Sequence, residues 1–123
     1  MSVERYYRIV AYIRNLPRIC WPYNGDQPTN AVNVAYVHEA GYELFEVRTG
    51  LGLRPIHRLG DTAPRGTLEA VREEVKEVLD KARGKDGEAK RAKAKWFSEQ
   101  FAKTWAEGGE GWRELKKVVD RIR

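Results

Sequence analysis

The sequence predicts a small, helix-rich α/β unit, and three observations carry that expectation. Two short apolar runs, Arg18–Trp21 and Tyr42–Val47, flank a stretch with helical spacing, which is the layout of a parallel, right-handed βαβ unit. Beyond them, apolar residues recur at helical intervals through three further segments to the C-terminus. Finally, 123 residues with four Trp, six Tyr and 41% apolar content fit one folded domain, not a disordered chain.

Taken in order, Val3–Arg14 reads as a short amphipathic helix, with Tyr6, Ile9, Val10 and Ile13 on one face. Residues 15–47 form the βαβ unit. Its first strand ends at Pro22 and is followed by an Asn24-Gly25 turn, then by Pro28, which suits the first turn of a helix. That helix is expected over Pro28–Ala40, with Ala31, Val34, Ala35 and His38 on one face and Gly41 as its C-terminal cap. The second strand is expected over Tyr42–Val47, with Leu44, Phe45 and Val47 as its apolar bulk.

Residues 48–66, punctuated by Gly50, Gly52, Pro55, Gly60, Pro64 and Gly66, read as a long loop. Residues 67–123 form a helical tail. Thr67 is a plausible N-cap with Glu69 in the first turn, and Val71, Val75, Val78, Leu79 and Ala82 repeat at helical spacing up to Gly84. Asp86-Gly87-Glu88 opens the next helix, whose stripe is Ala94, Phe97, Phe101 and Trp105. After the glycines at 108 and 109, a last helix carries Trp112, Leu115, Val118, Val119 and Ile122.

The formal charge of +5 and pI near 9.4 allow loose attraction to anions without choosing among them. Cys20 is the single cysteine, so no internal disulfide forms. The first 18 residues are interrupted by Glu4, Arg5, Arg8 and Arg14 and hold no apolar core of signal-peptide length. No apolar run reaches the roughly 18 residues a membrane span needs. The expectation is a cytoplasmic protein without a transmembrane segment.

Asp26-Gln27 is the most informative polar pair. A carboxylate accepts from two hydroxyls and an amide both donates and accepts, a combination that suits a sugar at the carboxyl edge of a sheet. The competing reading is helix capping, since Asp before Pro is common at helix starts. His38, His57 and Cys20 lack any metal-ligand spacing, so no metal site is expected. No catalytic residue is legible either, because beside His57 there is no legible nucleophile or orienting acid. Lys85, Lys90, Arg91, Lys93 and Lys95 make a basic stripe near Trp96 and Phe97. Glu88 and Glu99 dilute it, and it reads as a solvated helix face with the aromatics at the core, not as a nucleic-acid surface.

One ordered set of residues also carries a resemblance. Pro17, Cys20-Trp21-Pro22, Asp26-Gln27 and Asn30-Ala31 resemble the end of the donor-binding box of family 1 UDP-glycosyltransferases, enzymes of the GT-B fold. GYELFEVRTG (41–50), LRPIHRLGDTAPRGT (53–67) and TWAEGG (104–109) are similar to the fungal-type soluble branch. The resemblance runs from about Asn15 onward and implies a partial Rossmann-like C-terminal segment of a GT-B fold, one βαβ unit plus C-terminal helices. It implies that Asp26 and Gln27 contact the donor sugar of a UDP-sugar.

The chain departs from the family before Asn15. There the family has a His-Cys-Gly-Trp-Asn-Ser run and a Glu that hold diphosphate and ribose. In ungapped register, Ser2 stands at the His position, Arg5, Tyr6 and Tyr7 at Trp, Asn and Ser, and Val10 at the Glu. The acceptor-binding half with its catalytic His is not in this chain. The resemblance therefore implies a truncated relative whose inherited chemistry is metal-independent hexosyl transfer from a UDP-sugar to a small hydroxylated acceptor. Alone it is expected to be inactive and to bind UDP-sugar weakly at best; no cofactor is expected. It is also expected to form a homo-oligomer or to need a partner chain that supplies the missing half. The alternative is a non-enzymatic interaction module that modulates a full-length glycosyltransferase.

Overall fold

The computed structural model describes residues 17–122. The helix expected over Val3–Arg14 lies outside them. Two short strands, β1 (Arg18–Cys20) and β2 (Gly41–Glu43), pair in parallel with Arg18, Ile19 and Cys20 opposite Gly41, Tyr42 and Glu43. Helix α1 (Gln27–Val32) connects them and widens into a π-helical turn over Asn33–Val37. The βαβ unit is therefore formed, although its parts differ from the expected lengths.

The connecting helix is shorter than Pro28–Ala40. Its last turn relaxes to the wider hydrogen-bonding pattern, with His38 N–H donating to Asn33 O at 2.8 Å, and Glu39 adopts a left-handed conformation at φ 51°. Gly41 is thus not the cap. It is the first residue of β2, where a Cβ would lie 2.6 Å from Arg18 O and 2.7 Å from Val34 Cγ1. A side chain there would separate the two strands and lift the helix off the sheet.

β2 also ends two residues into the run that predicts it, at Glu43. The N–H groups of Phe45 and Glu46 donate to the Glu74 carboxylate, the latter at 2.8 Å, so a side chain replaces the ladder and the strand turns away. The loop that follows holds two short 3₁₀ turns, Gly50–Leu53 and His57–Leu59, and a bridge between Ile56 and Thr62.

Helix α2 (Leu68–Arg83) starts where Thr67 predicts it, with the Thr67 hydroxyl accepting from Ala70 N–H at 3.1 Å. Its Val71, Val75, Val78 and Ala82 close over Tyr42, Leu44 and Val47, forming the first half of the core. Leu79 is more exposed than its spacing implies. Helix α3 (Lys85–Trp105) folds back along α2, and its Ala94, Phe97 and Phe101 pack around Ala40 as the second half. The corner depends on Gly87, where a Cβ would fall 1.9 Å from Ala82 O. Trp96 and Trp105, expected at or near the core, are exposed. Helix α4 (Glu110–Ile122) runs beyond α3 with every residue from Trp112 to Ile122 exposed.

Tyr42 joins the sheet to α3. Its hydroxyl donates to Asp86 Oδ2 at 2.6 Å, and Lys90 Nζ sits 4.9 Å from the ring centroid. Burial, then the Asp86 hydrogen bond and charge, push the phenol from 10.0 up to about 12. The fold favours the protonated phenol, so this stabilisation is complete below about pH 10 and is lost as pH rises through about 12. It amounts to something on the order of 2–3 kcal/mol. Denaturant titrations at stepped alkaline pH should show Tyr42→Phe losing stability less steeply than the parent across that window. Parallel curves would assign the alkaline transition to other groups.

Candidate functional site

The segment leaving β1 is pinned by Pro22, which is buried, and then turns at Asn24-Gly25, with Gly25 at φ +59°. Asn24 Oδ1 accepts from Gly25 N–H at 2.6 Å. Gln27 folds back over the same turn, and its Oε1 accepts from Tyr23 N–H at 2.8 Å and Asn24 N–H at 3.2 Å. This side chain therefore satisfies two backbone donors and sets the entry of α1. Pro28 follows in the first turn, as its fixed φ and missing N–H favour.

Asp26 stands at the N-cap position, yet its side chain makes no capping hydrogen bond. Its backbone is already helical, at φ −84° and ψ −5°, and its carboxylate is turned to the side of the helix. There Oδ2 accepts from Asn30 Nδ2 at 2.9 Å. The capping reading of Asp26 is thus not realised; Gln27 performs the local stitching instead. An ionised carboxylate has about four lone-pair sites, and a Gln amide has two N–H donors. One bond to Asn30 leaves Asp26 with acceptor capacity, and the Gln27 NH₂ is not the group that holds the turn. Asp26, Tyr23 and Trp21 are all exposed.

A second polar cluster on the same edge was not anticipated from the sequence. The side chain of Glu43, the last residue of β2, is 1% exposed, and both carboxylate oxygens are taken by arginines. Arg48, 8% exposed, bonds Oε1, while Arg58 bonds Oε2 at 2.6 Å and Oε1 at 2.7 Å. Arg48 also donates to Phe45 O at 3.1 Å and lies over the Phe45 ring, and Arg58 lies over the Tyr36 ring. A buried carboxylate with two guanidinium partners fixes the loop to the strand end. Arg65 does the same further along, bonding Glu46 at 2.8 and 3.1 Å and Glu73 at 2.8 Å. The available signal was a surplus of arginines in residues 48–66 following a strand with two glutamates.

The other candidates are scattered. His38 packs edge-on to Phe97 at 4.7 Å, His57 is exposed 3.4 Å from Asp61, and Cys20 is half-buried on β1. Among the described residues no group of three or more His, Cys, Asp or Glu side chains is arranged to hold a metal ion. Members of the basic stripe are engaged internally: Lys90 on Tyr42, Arg91 on Ala82 O at 2.9 Å, and Lys93 with Glu39 at 3.5 Å. Among the described residues no helix is long and apolar enough to cross a membrane.

No family model matches the chain, and no solved structure matches it. A UDP-glycosyltransferase, eriJ, of Hericium erinaceus is 48% identical to it over 67 residues. The match takes in 54% of this chain but only 13% of the relative's length. Over that stretch, this chain is related to a fungal UDP-glycosyltransferase.

Proposed function

We propose that the chain corresponds to the C-terminal, donor-binding end of a family 1 glycosyltransferase of the GT-B fold, that Asp26 and Gln27 contact the hexose of a UDP-sugar, and that the chain transfers no sugar by itself. The observation carrying this reading is the 48% identity to a protein named as a UDP-glycosyltransferase. The geometry supports it: a parallel βαβ unit turns into its helix at Asp26-Gln27, beyond the carboxyl end of β1, the usual ligand edge of such sheets. The Gln27 side chain braces the turn that presents the Asp26 carboxylate.

Transfer needs a positioned base, typically worth ~10²–10⁴-fold. His38 is packed on Phe97 and His57 stands exposed beside Asp61, so neither is held over the Asp26 turn. A chain supplying the acceptor-binding half would have to bring the base. Saturation-transfer NMR with UDP-glucose should give stronger enhancement on hexose protons than on uridine protons, reduced in Asp26→Ala. Labelled UDP-glucose with a phenolic or sterol acceptor should give no multiple-turnover product. Uridine-dominated enhancement unaffected by Asp26→Ala, or steady turnover from a clean preparation, would reject the proposal. The rival reading, a non-enzymatic interaction module, is favoured by one specific feature: the uncovered apolar stripe of α4.

A further inference from the structure

The face that α4 presents has a pattern that names its occupant. Trp112, Leu115, Val118, Val119 and Ile122 lie along one side of the helix and are between 42% and 80% exposed. Trp105, at the end of α3, is exposed as well. At 100° per residue, Lys116 and Asp120 border this stripe on one side, and Glu114 and Arg121 border it on the other.

We propose that α4 pairs antiparallel with α4 of a second copy of this chain. A two-fold axis across two antiparallel helices sets each border against its own equivalent. Centred between residues 117 and 118, that axis sets Glu114 level with the second copy's Arg121 and Lys116 within one residue's rise, about 1.5 Å, of the second copy's Asp120. Each contact occurs twice, and all four are attractive.

Charge alone does not choose the direction, because a parallel pair would set Glu114 against Lys116 and Arg121 against Asp120. Size does. Antiparallel packing places Trp112 within one residue's rise of Ile122 and Leu115 within one of Val119, which keeps the helix separation even along its length. Parallel packing would stack Trp112 on Trp112 at one end and the smaller Ile122 on Ile122 at the other. It would also bring both molecules' α3 ends together beside α4's N-termini, whereas the antiparallel pair holds them at opposite ends. Opposed helix dipoles add to the preference. The existing Lys117–Glu114 contact at 2.6 Å joins two exposed side chains and is a weak competitor.

A helix of 13 residues is about 20 Å long, so the contact falls at the small end of specific interfaces. A reversible dimer with a Kd on the order of 10 μM is expected. Sedimentation equilibrium on the whole chain tests it. Glu114→Arg sets an arginine against Arg121, and Arg121→Glu sets a glutamate against Glu114. Each should weaken the dimer roughly tenfold or more, since two attractive contacts become repulsive. The double variant Glu114→Arg/Arg121→Glu reverses both members of each pair and should restore dimerisation. In a parallel pair the same double variant would leave the introduced arginine facing Lys116 and the introduced glutamate facing Asp120, both repulsive. A dimer that both single variants weaken and the double does not restore therefore overturns the proposed geometry. A parent that stays monomeric up to hundreds of micromolar overturns the proposal outright and leaves the stripe to the remainder of a longer chain. All four positions are exposed, and circular dichroism on each variant confirms that the fold is retained.

Discussion

Glu43→Ala should destabilise the domain by about 3–5 kcal/mol, the usual cost of removing one partner from a buried ion pair. The carboxylate is 1% exposed and occupies two guanidinium groups at once. Without it, Arg48 at 8% exposure keeps, among the described residues, its bond to Phe45 O and its contact with the Phe45 ring. Arg58, which is a third exposed, can turn to water. The expected order of cost is therefore Glu43→Ala, then Arg48→Ala, then Arg58→Ala. For a domain near this size, 3–5 kcal/mol lowers Tm by on the order of 12–40 °C. Since small domains are stable by only ~5–15 kcal/mol, part of the chain should unfold at 37 °C. Salt should alter this effect little, because the pair is buried, whereas the exposed Arg65–Glu73 bridge should be screened. Replacing the pair by apolar side chains, Glu43→Leu with Arg48→Met, should recover much of the loss, since no buried charge then remains. A Glu43→Ala variant within about 1 kcal/mol of the parent would mean that water reaches Arg48 after all.

Much of this architecture was legible because it rests on local pattern. The helical spacing of Val71, Val75, Val78 and Ala82 and the Thr67 cap are properties of neighbouring residues, and α2 forms where they place it. The parallel pair followed from two apolar runs with a helical stretch between them. What was misread depends on contacts far apart in sequence. Gly41 resembles a helix cap in the sequence, but its lack of a Cβ serves the approach of Arg18 and Val34. The left-handed turn falls instead on Glu39, a residue type that does not announce it. The roles of Glu43 and Glu46 emerge only when the loop brings Arg48, Arg58 and Arg65 back to them. The stripe of α4 was visible as amphipathicity, but periodicity marks a face without saying what covers it. At Asp26-Gln27 the two roles could not be separated by residue type. Geometry gives only a local division: the Gln27 oxygen closes the turn, and the Asp26 side chain makes no cap.

That division shapes the largest effect expected, which is on nucleotide affinity. If Asp26 and Gln27 hold the hexose, they act at one end of a donor whose charge lies at the other. On the proposed correspondence to the donor box, Ser2, Tyr6, Tyr7 and Val10 would fall at the positions that hold diphosphate and ribose, and their side chains differ from the His, Asn, Ser and Glu that the resemblance implies there. Hydrogen bonds to charged groups contribute ~1.5–3 kcal/mol each, so two or three missing ones remove roughly 3–9 kcal/mol. At ~1.4 kcal/mol per tenfold, UDP-glucose should bind about two to six powers of ten more weakly than to an enzyme with the complete box. Free UDP, which lacks the hexose, should bind more weakly still. The +5 charge adds attraction for any polyphosphate, and that part should fall as salt approaches physiological strength, where the screening length is ~8 Å. Calorimetry of UDP-glucose and UDP at low and moderate salt separates the contributions. The expected pattern is a weak, hexose-dependent term reduced by Asp26→Ala, over a salt-sensitive term shared by both ligands. Salt-insensitive micromolar binding of UDP itself, untouched by Asp26→Ala, would place a rebuilt diphosphate site elsewhere in the chain and remove the sugar-end account of recognition.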